Sequence, residues 1–257
     1  LAKDMVEKLD APKDTVLRTA LLCKADLVTS LVFEFTELQG FIGADYAFNS
    51  GEKPEVVQGI KEHYYPLSSD SDIAESIEGQ IVGIADKVDT ITAVFAEGKK
   101  PTGSADPLGV RRATLGIIKT IIQKGLGINL TATIKKAIEL MPVEINDKDK
   151  LFDDIKTFFE QRLTVFYTEK YRHDTVDACI SNQNVLSDLK EFAQKLEFIE
   201  SKINDDKFAQ LNEAANRIIR ISKDYNSDIQ PSKQLFNNEA EHNLYEAVKN
   251  IDEKSLS

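Results

Sequence analysis

Apolar residues recur at steps of three or four along almost the whole chain, which is the spacing of one face of an α-helix. The clearest run predicts a helix that ends near Gly98. Its apolar members are Ile77, Ile81, Ile84, Val88, Ile91 and Phe95. No convincing alternation of apolar and polar residues appears, so the pattern gives no sign of strands. The sequence therefore predicts an all-α protein.

Prolines, glycines and polar loops divide this pattern into further helices. Gly40 and Gly43 interrupt the first one, where a turn or a close backbone approach is expected. Ser71 or Asp72 is expected to cap the helix that begins near Ile77. The predicted helices are 12–35, 54–65, 77–98, 111–122, 131–141, a long helix from 151, 185–203, 208–225 and 235–251.

The composition becomes polar and proline-bearing between Pro142 and Asp149. A chain of 257 residues is long enough for two ordinary domains. We therefore predict one helical domain over 1–145 and a second helical bundle over 146–257.

The formal net charge of −11 argues against a protein that grips nucleic acid with its whole surface, but not against a local basic face. Cys23 and Cys179 lie far apart in helical stretches, which favours two buried thiols in a reducing cytoplasm. No run of 18 apolar residues and no signal peptide is visible, and a start at leucine suggests a fragment of a longer chain.

No local motif for a zinc protease, a phosphate-binding loop or a nucleophile elbow is present. The constellation to weigh is His63-Tyr64 with Asp86 and Asp26, because helical metal-dependent phosphohydrolases use histidines and aspartates from several helices. Tyr64 stands where their His-Asp pair needs aspartate, and no histidine precedes His63. A divalent ion would then lack half of its protein ligands. The alternative is that His63 and Asp86 hydrogen-bond each other or nearby backbone.

Basic residues cluster at two places and could meet the phosphates of a nucleic acid. The alternative for the first cluster is a solvent-exposed helix start with ion pairs to Asp106. The alternative for the second cluster is the solvent-exposed side of a helix. The candidates are Lys99, Lys100, Arg111 and Arg112 in the first half, and Arg217, Arg220 and Lys223 in the second.

Four strings resemble the beta subunit of the bacterial heterotetrameric glycyl-tRNA synthetase, in that family's order and spacing. They are KADLVTSLVFEFTELQGFIGADYA, EHYYP, IADKVDT and KKPTGSADPLGVRRATLGII. The resemblance is strong over roughly 15–125. It continues more weakly through FFEQRL, ANRIIRISK and LFNNEAEHNLYEA.

The resemblance implies a degenerate HD-type domain, with His63 and Asp86 at the positions of the lost metal site, followed by an anticodon-binding domain of the arginyl-synthetase type. In that family the alpha subunit activates glycine with ATP, the beta subunit chiefly holds tRNA(Gly), and both are needed for aminoacylation. The implied protein is a cytoplasmic ligase subunit with tRNA(Gly) and the alpha subunit as partners, and with neither membrane nor DNA. No catalytic residue, metal or cofactor is assigned to this stretch, while ATP and Mg belong to the full synthetase.

Three functions therefore stay open at this point. The first is a tRNA-binding, non-catalytic part of glycine–tRNA ligase, in which Tyr167, Tyr171 or Phe208 could stack on unpaired bases. The second is a metal-dependent phosphohydrolase. The third is a scaffold that does not touch RNA, for which neutralising Arg111 and Arg112 would leave tRNA affinity unchanged.

Overall fold

A computed structural model describes residues 1–68, 71–101, 106, 108–181, 184–225 and 231–255. Every regular element within these ranges is helical, which confirms the predicted all-α class. The α-helices are α1 (Ala2–Leu9), α2 (Lys13–Leu22), α3 (Ser30–Glu34), α4 (Phe41–Asn49), α5 (Pro54–Glu62), α6 (Ile77–Ala96), α7 (Val110–Lys124), α8 (Leu130–Leu140), α9 (Lys148–Thr168), α10 (His173–Ser181), α11 (Leu189–Lys202), α12 (Asp206–Ser222) and α13 (Glu239–Ser255). Short 3₁₀ helices lie at Ala25–Val28, Thr36–Leu38, Val185–Ser187 and Lys233–Leu235.

The continuous helix predicted for 12–35 is wrong, because α2 ends at Leu22 and a 3₁₀ turn precedes α3. Asp26 occupies that turn and is buried, with its Oδ2 accepting the backbone N–H of Gly40 at 2.6 Å and of Gly43 at 3.2 Å. A buried carboxylate needs such donors, and supplying them folds the chain back on itself. A Cβ on Gly43 would lie 2.9 Å from this carboxylate oxygen, so the close approach expected at this glycine is confirmed.

The predicted cap of α6 is also corrected. Ser76, rather than Ser71 or Asp72, holds the N-terminus, because its Oγ accepts the N–H of Gly79 at 3.1 Å. Glu62 fixes this cap, since its Oε2 accepts the N–H and the Oγ–H of Ser76, both at 2.7 Å. The end of α5 is thereby joined to the start of α6.

The chain divides into two compact units, Leu1–Ile203 and Asn204–Ser257. In the first unit, α6 is the central helix, and its apolar face is buried through Ile81, Ile84, Val88 and Ile91. It packs against α1, α2, α5, α7, α8 and α9.

Helices on both sides of residue 145 contribute to the core of the first unit. Phe95 of α6 packs on Phe158 of α9, with ring centroids 5.1 Å apart. The proposed family-type domains, 1–145 and 146–257, remain a prediction beside this contact-based division.

The second unit contains α12, the 3₁₀ turn Lys233–Leu235 and α13. Phe236 meets the ring of Tyr245 edge-on with centroids 5.6 Å apart, and Lys233 pairs with Glu246. No residue of α12 is buried within the described part of the chain.

Cys23 and Cys179 are both buried free thiols, as predicted. Burial raises the pKa of Cys23 to about 11, so this thiol is protonated at neutral pH. Among the described helices, none is long and apolar enough to cross a membrane.

Candidate nucleic-acid interface and the buried polar centre

The N-terminus of α7 presents two of the predicted arginines. Asp106 holds this turn, because its carboxylate accepts the backbone N–H of Arg111 at 3.1 Å and of Arg112 at 3.3 Å. The predicted ion pair of Arg112 with Asp106 is long, at 3.7 Å, and leaves 68% of the Arg112 side chain exposed. Residues 102–105 and 107 of the preceding loop lie outside the described residues.

Arg162 of α9 joins this group and was not predicted from the sequence. Burial lowers its pKa, the positive charge of Arg111 lowers it further, and Asp106 opposes the change. Its Nε is buried and finds no acceptor among the residues described. The only signal in the sequence is that Arg162 follows Phe158 by one helical turn, beside the apolar face of the helix. In the structure its guanidinium lies 5.7 Å from the centroid of the Phe158 ring.

A cleft of about 330 Å³ opens between α7 and α9. On each helix the lining positions repeat at helical spacing, so the two helices form facing walls. The α7 wall and the α9 wall both carry apolar side chains, and cations lie only on the α7 wall. The lining residues are Arg112, Leu115, Gly116 and Lys119 of α7, Val165, Phe166 and Glu169 of α9, and Pro66 and Ser68 of the loop after α5.

The walls of this cleft suit an unpaired nucleotide. Phe166 and Leu115 offer apolar surface against which a base can pack, while the Arg112 guanidinium offers donors to a phosphate. Lys119 donates from Nζ to the carbonyl of Ser71 at 2.9 Å, so its ammonium is held at the cleft. Glu169, directly after the last residue of α9, places one carboxylate in the same lining as these cations.

The other predicted basic residues of the first half lie in ion pairs. Lys99 pairs with Glu97 at 2.7 Å, and Lys100 pairs with Asp154 on α9. Both lysines are largely exposed, so the structure places them at the surface without bringing them into the cleft lining.

In the second unit, Arg217 and Arg220 lie on α12 and Lys223 follows its last residue, all three exposed. Their steps of three put them along one side of the helix. Of the aromatic candidates for stacking, Tyr167 is buried and its ring packs on Phe192, so it does not present a face to RNA.

The second constellation lies between α5, α6 and the turn after α2. We call it the buried polar centre for its fully buried His63, while the side chains of Lys24 and Asp86 are 37% and 27% exposed. Lys24 donates from Nζ to Oδ2 of Asp86 at 2.8 Å and lies 4.0 Å from the ring centroid of Tyr64. Burial disfavours the charged ammonium and is the largest single effect. The charge and the hydrogen bond of Asp86, together with those of Tyr64, outweigh it, so the pKa of Lys24 is raised.

His63 is fully buried, and its Nδ1 lies 2.6 Å from the carbonyl oxygen of Ile60. That nitrogen therefore carries the hydrogen and donates it. Burial is the main cause that lowers the pKa of His63 to about 4, and the nearby Lys24 ammonium contributes in the same direction. Nε2 has no partner among the described residues. Of the alternatives left open by the sequence, the structure shows the backbone bond for His63.

Lys87 and Gly83 bring α6 against the end of α5. Lys87 donates from Nζ to the carbonyls of His63 and Tyr65, each at 3.0 Å. Because this ammonium is buried, its pKa is lowered to about 8. A Cβ on Gly83 would lie 2.6 Å from the backbone oxygen of His63, so only glycine allows this approach.

These donors do not fit a divalent cation. The Lys24 ammonium forms an ion pair with the carboxylate of Asp86, and both this ammonium and that of Lys87 lower the pKa of His63. In the described ranges, no three histidine, cysteine or acidic side chains lie together as metal ligands would. The negative charge of Asp86 in this polar centre is therefore balanced by a lysine ammonium.

Comparison with known proteins connects these features to a family. The sequence model of the family described as glycyl-tRNA synthetase beta subunit matches residues 1–181. A glycine–tRNA ligase beta subunit of Trichlorobacter lovleyi is 37% identical over 250 residues, which cover 96% of this chain and 36% of the relative. One of Gloeothece citriformis is 35% identical over 263 residues, covering 96% and 37%.

A third relative, the glycine–tRNA ligase beta subunit of Desulfitobacterium hafniense, is 39% identical over 220 residues, covering 82% of this chain and 31% of its own length. The chain thus spans about a third of the length of the curated relatives it matches. It belongs to the glycyl-tRNA synthetase beta subunit family.

Proposed function

We propose that this chain is a tRNA-binding part of a glycine–tRNA ligase, and that the cleft between α7 and α9 receives an unpaired nucleotide of tRNA(Gly). The relatives are named as ligase beta subunits, which supports a role in glycyl-tRNA synthesis. In this proposal glycine activation with ATP and Mg belongs to the alpha subunit, and no residue here is catalytic.

The observation that carries the proposal is the exposed Arg112 guanidinium in the lining of the cleft, with Arg111 next to it in the chain and Arg162 near Arg111. The lowered pKa of Arg162 reports that burial and the charge of Arg111 outweigh Asp106. A phosphate bound by Arg112 would add a negative charge near Arg111 and Arg162 and so weaken the repulsion between these guanidinium groups. Arg112, at the mouth of the cleft, is exposed enough to meet RNA without rearrangement.

The buried polar centre disfavours the phosphohydrolase. Metal-assisted hydrolysis needs ligands that are free to bind the ion and a position for an activated water. Here the imidazole donates to a backbone carbonyl and the carboxylate binds an ammonium.

A salt titration of tRNA(Gly) binding tests the proposal, with Arg112→Gln as the variant. Removing one phosphate contact is expected to weaken binding across tRNA sequences and to reduce the slope of log K against log salt by about 1. Arg172→Gln is the matched control, because Arg172 is also exposed and also pairs with an aspartate, but lies at the start of α10.

Equal affinity and equal salt slope for the Arg112→Gln variant and the unmodified chain would refute the cleft as the binding site. Binding with no salt dependence at all would refute a phosphate-led contact, and no binding of tRNA(Gly) even at low salt would favour the scaffold.

A further inference from the structure

The cleft between α7 and α9 contains one carboxylate, that of Glu169, among the described residues that line it. Glu169 is exposed, and within the described part of the chain its carboxylate takes part in no hydrogen bond or ion pair. The two cations of the same lining have other partners. Arg112 faces Asp106 at 3.7 Å, and the Nζ of Lys119 donates to the carbonyl of Ser71 at 2.9 Å. The acceptor oxygens of Glu169 are therefore available to a ligand in the cleft.

Glu169 lies next to the aromatic wall of the cleft. Its backbone keeps helical angles, φ −65° and ψ −26°, directly after the end of α9. Phe166 precedes it by three positions, so the two side chains share one side of the helix, with Cβ atoms about 5–6 Å apart. Both residues line the cleft. A base that packs against the Phe166 ring can thus place its edge at the Glu169 carboxylate.

The end of α9 makes this part of the cleft favourable for hydrogen-bond donors. Glu169 follows the last residue of a helix of 21 residues. The carboxyl end of a helix carries partial negative charge on its last carbonyl groups, which adds to the charge of the carboxylate. The start of α7 has the opposite character, because Arg112 and the N-terminal end of that helix both favour an anion. The cleft therefore offers a phosphate one wall and N–H donors the other.

The four RNA bases differ in what they can donate to a carboxylate. Guanine offers two parallel donors, N1–H and N2–H, which match the two oxygens of one carboxylate as a guanidinium fork does. Cytosine and adenine each offer an exocyclic amino group. Uracil offers one N–H between two carbonyl oxygens, and these oxygens would face the negative charge. A bidentate pair discriminates against the wrong base by roughly 5- to 150-fold in affinity.

We propose that Glu169 is a specificity-determining residue that selects guanine as the unpaired base in the cleft, with its two carboxylate oxygens accepting N1–H and N2–H. Phe166 packs against the base, and Arg112 binds a neighbouring phosphate. This inference rests on the proposed function, since it names the base that the same cleft receives. The two can still fail separately, because the phosphate contact of Arg112 is the same for every base.

Fluorescence anisotropy of labelled RNA pentanucleotides at low salt tests this with the 257-residue chain. Each probe is pentauridine with uridine, cytidine, adenosine or guanosine at the centre, so the probes differ in one base. The guanosine probe is expected to bind about fivefold more tightly than the uridine probe, or better, with cytidine and adenosine between them. Inosine at the centre lacks the N2 amino group and is expected to lose part of this preference.

Glu169→Gln is the variant, because glutamine keeps the size of the side chain but has one acceptor oxygen and no charge. The readout is the ratio of the guanosine-probe affinity to the uridine-probe affinity, which is expected to fall about threefold or more. A charge that acts at long range would change the affinity of every probe by the same factor and leave this ratio unchanged. Glu197→Gln is the matched control, since Glu197 is also exposed but lies on α11, outside the cleft lining.

Three results would overturn the role of Glu169. They are equal affinity for the four probes, tightest binding of a base other than guanine, and an unchanged ratio in the Glu169→Gln chain. If Arg112→Gln still weakens the binding of tRNA(Gly) in any of these cases, the RNA proposal stands and only the base selection fails. A chain that binds neither the probes nor tRNA(Gly) at low salt would refute both.

Discussion

Acid should unfold this protein partly through one residue, His63. Its imidazole is fully buried and faces Lys24, Lys87 and Asp86, the first two of which oppose a further positive charge. The pKa is about 4 in the folded chain, below the ordinary value of 6.5. As the pH falls below 6.5, the unfolded chain therefore takes up the proton before the folded chain does.

The sign and size of the effect follow from these two values. The contribution of neutral His63 to stability is complete above pH 6.5, declines as the pH falls, and is lost in full below pH 4. The fall of the His63 pKa from 6.5 to about 4 corresponds to about 3 kcal/mol at the limit. Between pH 7 and pH 4.5 the expected loss is about 2 kcal/mol.

The assay is urea unfolding followed by circular dichroism at several pH values, for the unmodified chain and for His63→Asn. The asparagine amide can still donate to the Ile60 carbonyl but does not titrate. Subtracting the two pH profiles removes the carboxylates that both chains share. His173→Asn is the control, because His173 is 71% exposed and its pairing with Asp177 is screened by water.

A difference profile that is flat between pH 7 and pH 4.5 would refute the reasoning, because it would mean that His63 binds its proton equally in both states. A difference that appears only above pH 6.5 would mean that folding raises the pKa of His63 and does not lower it. The expected result is a difference between the two chains that opens below pH 6.5, widens as the pH falls and reaches a constant value below about pH 4.

Two substitutions test the packing around this centre. Gly83→Ala should lower the free energy of unfolding by about 1–3 kcal/mol, although alanine favours helices, because the new Cβ meets the His63 oxygen at 2.6 Å. Gly127→Ala is the control and should not lower it, because the space around its Cβ is open. An equal melting temperature for the unmodified chain and both variants would count against the close approach. Asp26→Ala should cost about 2–4 kcal/mol in urea unfolding, because two buried N–H groups lose their acceptor. Asp26→Asn should recover part of that loss, and an alanine variant as stable as the unmodified chain would contradict the anchoring role.

Much of the fold follows from the sequence, because apolar spacing reports directly which face of a helix is buried. The helix predicted for 77–98 is α6, and the predicted 131–141 is α8 within one residue at each end. The pattern failed where a polar residue occupies an apolar step. Asp26 falls within a run that reads as a helix, but its burial and its two backbone donors end that helix and create the turn.

The candidate site was harder to predict than the fold, for a related reason. Arg111 and Arg112 stand out because they are adjacent and follow a loop rich in glycine and proline. Arg162 lies 50 residues later in the sequence, and only the packing of α7 on α9 brings it beside Arg111. Sequence separation hides such a neighbour, and the single trace it leaves is a cation beside an apolar helix face.

The formal net charge of −11 says little about the proposed RNA-binding cleft, because charges act locally. At physiological salt an exposed charge is largely screened beyond about 8 Å, so RNA bound as proposed would be affected by Arg112 and its neighbours rather than by the charge of the whole chain. A local cationic face on an acidic chain is therefore enough for the proposed RNA contact, while the acidic remainder discourages indiscriminate RNA binding.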